Sequence, residues 1–137
     1  MPEQLITVQG EALLKSDETP WNIYPRPQMR RDSYLNLNGL WDLAVGDGAY
    51  DRQIRVPFCP ESILSGIDEH FPEGCNLFYR RRFTLPEGFH RGRVLLHIGA
   101  ADQKAEVFLN NVRIGKHTGG YESFTLDITE ALWEENE

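Results

Sequence analysis

Four histidines, two cysteines and 21 acidic residues are the groups in this 137-residue chain from which chemistry could be built. His70, His90, His97 and His117 form no metal-ligand grouping with one another or with a cysteine. His97 falls inside the apolar run "VLLHIG" and reads as a hydrogen-bonded strand residue; His90 belongs to a polar turn. Cys59 and Cys75 lack C-x-x-C spacing and are expected as free thiols rather than a single bridge. There is no Gly-rich phosphate loop and no G-x-S-x-G elbow. Hydrolysis by paired carboxylates needs two acids facing one another across the scissile bond, and no pair here takes that role. The terminal "EENE" reads as a solvated, frayed end. No cofactor and no metal are expected, and no catalytic residue is assigned.

Composition narrows the partners. A net charge of −7 argues against a phosphate-backbone binder, which needs a basic face. The cluster Arg80-Arg81-Arg82 splits between the two faces of a strand and reads as salt bridges or solvated groups. A hydrophobic share of 40% and an aromatic share of 11% suit a folded domain. No apolar run approaches the roughly 20 residues that cross a bilayer, and the N-terminus lacks the basic and apolar regions of a signal peptide. Neither nucleic acid nor membrane is expected as a partner, and the location read from this is cytoplasmic.

The elements that must position these groups are mostly short strands. Residues 1–32 form an extended N-terminal arm: "TPWNIYPRPQMRRD" holds three prolines, and Trp21, Ile23 and Tyr24 are expected to pin it. "EALLKS" offers one helical turn. From Tyr34, "YLNLNGLWDLAV" alternates apolar and polar, with Asn38-Gly39 giving a turn or bulge and Trp41 in the core. "IRVPF" is a short or edge strand, and the long connection after it holds a turn at Glu61–Leu64. "LFYRRRFTL" is a strand whose Phe78 and Phe83 cannot share a face without a twist or bulge. "RVLLHIGAA" reads as a strand buried on both faces. "AEVFLNNVRIGKH" reads as a hairpin turning at Asn110-Asn111, since Asn tolerates left-handed φ. "SFTLDIT" sets Phe124, Leu126 and Ile128 inward, with Thr129 as N-cap of a short turn. Many short strands at about ten-residue spacing predict an all-β sandwich over residues 33–137.

Five motifs, in order, resemble the N-terminal sugar-binding domain of glycoside hydrolase family 2, the β-galactosidases, β-glucuronidases and β-mannosidases. "YPRPQMRRDSYLNLNGLWDLAV" is similar to the arm and first strand with "LNGxWxF". "IRVPFCPES" resembles the "VPxxxxS" edge strand and "YRRRFTLP" the "WYRRxFxxP" strand. "VLLHIGAADQKAEVFLNNVRIGKHTGGYESFTLDIT" resembles the family run ending "HxGGYxPFxxDIT", and "EALWEEN" the turn "xxLxxGxN". Departures fall in turns: Asn111 and Glu135 where the family has Gly, and Ser123 where it has Pro.

The resemblance implies a jelly-roll β-sandwich of the galactose-binding-domain-like kind, truncated before its last strands. It implies that the catalytic glutamates lie on a barrel outside this chain. The chain would then scaffold that barrel, lend loops to its cleft, and contact carbohydrate only through the parent enzyme. A stand-alone carbohydrate-binding module is the alternative, with Trp21, Trp41, Trp133 and Tyr121 as stacking candidates. Asn76 and Asp102 are the candidate substrate contacts, Asp102 otherwise capping its turn. Trp41, Arg80, His117, Gly119, Gly120 and Tyr121 are structural: Gly119-Gly120 let the chain turn, Tyr121 covers the bend, and His117 hydrogen-bonds within it. Unpaired edge groups would favour a homo-oligomer through a sheet edge.

Overall fold

The computed structural model describes residues 6–137. Seven strands dominate them: β1 (Gly39–Val45), β2 (Arg52–Val56), β3 (Leu77–Arg80), β4 (Leu95–Ile98), β5 (Lys104–Leu109), β6 (Val112–Thr118) and β7 (Phe124–Asp127). All ladders are antiparallel. The residues form two compact units, one holding the arm through Arg31 with Leu35–Arg81, the other Asp32–Tyr34 with Arg82–Glu137.

The first unit is built on a sheet of order β2-β1-β3. Trp41 opposes Ile54 and Leu43 opposes Tyr79, so period-two alternation puts these side chains on one face. Leu43 and Ile54 are fully buried, each worth about 2 kcal/mol of apolar transfer. β2 stops at Val56 because Pro57 has no N–H to continue a ladder, and β2 is an edge, as its sequence implied. In the connection after β2, Ser62 caps a short 3-10 turn at Ile63–Ser65.

The arm departs from expectation. Its helix α1 (Val8–Leu14) starts before "EALLKS", because Thr7 caps it by accepting the Gly10 N–H at 3.0 Å. Arg55 of β2 donates to the Leu13 and Ser16 carbonyls at the helix end, at 3.3 and 3.5 Å. Trp21 leans on Phe58 with centroids 5.4 Å apart, yet Trp21 and Ile23 stay exposed and do not pin the arm as expected. Asparagines hold it instead: Asn36 donates to the Trp21 carbonyl and Asn38 to that of Pro20. Asn36 also accepts the Asn38 N–H at 2.9 Å, which diverts this backbone from a ladder and delays β1 to Gly39.

The second unit pairs β4 with β7 and β5 with β6. Val94, Leu109 and Ile128 form its core, flanked by Phe83, Leu96, Ile114, Leu126 and Leu132. The hairpin turns where expected, with Asn110 and Asn111 at φ of 51° and 64°, both left-handed as a type I′ turn requires. β4 is half-exposed rather than buried on both faces: Leu95 and His97 point outward, and His97 Nδ1 hydrogen-bonds Thr125 Oγ1 across the ladder at 2.8 Å. The Phe78–Phe83 mismatch resolves without a bulge, because β3 ends at Arg80 and Phe83 bridges Asn136 in the second unit.

Candidate functional site

Five of the sequence-selected residues meet at one end of the β5–β6 ribbon. Lys104 opposes Thr118 as its last pair, and the Gly119 N–H then donates to the Gln103 carbonyl at 2.8 Å. This closes a corner from two connections, residues 101–103 and 119–123. Gly119 has φ of +135°, where L side chains are strained. Gly120 is glycine for lack of space: a Cβ there would stand 2.5 Å from Asp102 Oδ1.

That contact overturns two expectations. Asp102 lies over the Gly120 backbone and, among the described residues, caps no turn through a hydrogen bond. Its carboxylate fills the space that Tyr121 was expected to cover, and Tyr121 stands out fully exposed, at 102% of its reference area. His117 differs as well. Its ring stacks on Phe124, with centroids 4.4 Å apart and planes 15° from parallel, and its Nε2 is buried with no hydrogen-bond partner. The nearest carboxylate is Glu122, with Oε2 at 3.9 Å. Stacking fixes the ring where no turn acceptor reaches Nε2. Gly119 lies between the two groups, since a Cβ on it would come 3.4 Å from each.

The other candidates belong to the first unit. Arg80 donates from Nη2 and Nε to Asp42 Oδ2 at 3.1 and 3.3 Å, and its guanidinium sits 4.0 Å from the Tyr50 ring centroid. Arg81 donates to the Leu40 carbonyl at 2.9 Å, and burial lowers its pKa. Arg82 pairs with Glu137 at 2.8 Å in the second unit. Trp41 is half-buried, its indole N–H on the Leu37 carbonyl at 2.7 Å. Asn76 is exposed, and its carbonyl accepts the Gly46 N–H at 2.8 Å.

The most consequential residue that sequence reasoning missed is Asn136. Expected within a frayed end, it is 2% exposed. Its Oδ1 accepts from the Trp133 N–H at 2.8 Å and from Asn110 Nδ2 at 3.0 Å, and its Nδ2 donates to the Trp133 carbonyl at 3.0 Å. Asn110 donates onward to the Ala131 carbonyl and accepts the Glu137 N–H. The signal was available, because Asn136 is the Asn of the "xxLxxGxN" pattern. Thr129 was also misread as an N-cap: its hydroxyl accepts the Val94 N–H at 2.9 Å and donates to Asp127 Oδ1 at 2.6 Å. The Asp127 carboxylate is held below its ordinary pKa by the Thr129 hydroxyl, then the Thr129 N–H, with Arg93 adding a smaller pull.

Beside Asp127 runs an open groove of about 400 Å³, bordered by Arg93, Arg113, Val112, Ile114 and Glu130. Its two arginines are committed to local pairs, Arg93 with Asp127 at 3.7 Å and Arg113 with Glu106 at 3.4 Å. Among the described residues no three His, Cys, Asp or Glu side chains converge as metal ligands. The ribbon corner therefore offers recognition chemistry: an exposed phenol ring flanked by the carboxylates of Asp102 and Glu122.

The described residues are mostly short antiparallel ladders with one short helix, an architecture of the all-β class. The chain is homologous to β-glycosidases of glycoside hydrolase family 2. It is 35% identical over 122 residues to a β-glucuronidase of Paenibacillus borealis, an alignment covering 78% of this chain and 20% of that protein. Among solved structures, a Faecalibacterium prausnitzii β-glucuronidase matches at 26% identity and TM-score 0.59, over 83% of this chain and 22% of the other. A Dictyoglomus thermophilum β-D-mannosidase shares the fold at TM-score 0.66 and 21% identity, over 74% of this chain and 14% of the other. No family model matches the chain. The chain thus spans about a fifth of the length of the curated β-glucuronidases it matches. The matched domains bear out the all-β fold class, with which a jelly-roll sandwich is consistent.

Proposed function

We propose that the chain is the N-terminal, non-catalytic domain of a family 2 β-glycosidase, acting in the hydrolysis of terminal β-glycosides. It scaffolds a catalytic barrel and lends loops to the cleft. The observation that supports this most directly is the confinement of a 35% identical match to a fifth of a β-glucuronidase. In this reading Asn76, exposed in the connection before β3, and Asp102, exposed in a bend, supply polar groups to bound sugar. Carbohydrate is reached through the parent enzyme, the remaining domains are the chain's standing partners, and the location is cytoplasmic. A free sheet edge pairing with a second copy belongs to the same reading.

Replacing the matched fifth of the Paenibacillus enzyme with this chain tests it. The chimera is expected to be soluble and to hydrolyse 4-nitrophenyl β-D-glucuronide, with a higher KM when Asn76 or Asp102 becomes Ala. The 137 residues alone are expected to give no turnover on β-glucuronide, β-galactoside or β-mannoside; measurable turnover would sink the proposal. The exposure of Tyr121 favours one second reading, a carbohydrate-binding module stacking the ring on a sugar. Saturable millimolar binding of galactose, glucuronate or mannose to the chain alone, by calorimetry, would select it.

A further inference from the structure

Tyr121 is wholly exposed, yet the turn that presents it is tightly specified from four sides. Gly119 takes a φ of +135°, and a Cβ on Gly120 would crowd the Asp102 side chain, 2.5 Å from Oδ1. The Gly119 N–H is tied to the Gln103 carbonyl, and His117 is stacked on Phe124 two residues before the glycine pair. A fixed turn bearing an exposed ring brings no burial to its own unit. Docking a tyrosine removes roughly 150–250 Å² of surface from water, and a pre-formed turn loses little entropy in doing so. Charge narrows the partner. Among the described residues Glu122 faces only the His117 ring, at 3.9 Å, in a chain of net charge −7. The complementary surface is an apolar pocket rimmed by lysine or arginine.

We propose that the Tyr121 turn is a docking anchor for the catalytic part of a β-glycosidase, its ring seated in an apolar pocket with a basic residue meeting Glu122. This rests on the reading above, and the four-fifths of its relatives that the chain does not match supplies the candidate occupant.

The test uses the chimera and the 137-residue chain side by side. Tyr121→Ala is expected to speed thermal inactivation of the chimera's β-glucuronidase activity about thirtyfold, as for loss of a central interface aromatic. Tyr121→Phe should stay within about threefold of wild type. In the isolated chain Tyr121→Ala should leave the thermal midpoint unchanged, because the ring makes no contact there. Glu122→Gln should also speed chimera inactivation, with the difference shrinking at 1 M salt. If the chimera works but Tyr121→Ala inactivates at the wild-type rate, docking through this ring is refuted and the domain reading survives. An insoluble or inactive chimera withdraws both. A dimer or a sugar affinity of the isolated chain that vanishes in Tyr121→Ala assigns the turn to another occupant and overturns the proposal.

Discussion

At the scale of single residues, the polar side chains that matter are those bonded to backbone rather than those that look reactive. The Asn136 side chain makes three hydrogen bonds from a site 2% exposed. Asn136→Ala removes one of the two bonds donated by Asn110 Nδ2 and leaves both Trp133 backbone groups without this partner, and is expected to cost about 2–3 kcal/mol in urea unfolding. Asp127 sets an acid-side dependence. Its folded pKa lies below the ordinary 3.8, so its stabilisation is complete above that value and is lost as pH falls through the lowered one. A carbon-13 titration of the Asp127 carboxyl is expected to show the low midpoint. Thr129→Val, which removes the hydroxyl that Asp127 accepts from, should raise it; an unchanged midpoint would refute the assignment of cause. The sequence put Asp127 outward and Thr129 at a cap, but not the 2.6 Å bond between them, which depends on β7 ending two residues earlier.

At the scale of elements, patterning decided more than propensity. The hairpin was legible because Asn-Asn flanked by apolar alternation admits few other turns. β7 was legible because Phe124, Leu126 and Ile128 alternate cleanly. β4 was not, because a run of four apolar residues around His97 looks the same with one face buried as with two. The packing of β6 against β7 shows at Gly115, where a Cβ would come 2.8 Å from Leu126 Cδ2. Its φ is not left-handed, so crowding against Leu126 rather than backbone strain is what favours glycine there. Gly115→Ala is expected to destabilise by about 1–2 kcal/mol, and Leu126→Ala combined with it should cost less than the two changes added. Additive costs in a double-mutant cycle would mean that the two side chains do not share the space. In the arm, three prolines and two aromatics suggested an extended strap. Capping by Thr7 and Arg55 instead gave it a seven-residue helix.

For the whole molecule, the balance of 21 acidic against 14 basic residues sets a pI near 5.1, and charge rather than fold controls association there. Turbidity of the 137 residues is expected to peak near pH 5 and fall on either side, and a flat profile would contradict this. The strand spacing and the alternation made the all-β class legible in the sequence, and the order of the motifs its likeness to family 2 β-glycosidases, because these are properties of neighbours along the chain. What the tertiary structure decided is which side chain occupies each contested volume. Asp102 rather than Tyr121 lies over Gly120, Phe124 rather than a turn acceptor holds His117, and Asn110 draws Asn136 out of solvent. Those outcomes depend on partners 18, 7 and 26 residues away, and short-range pattern does not encode which of two groups reaches a shared space first.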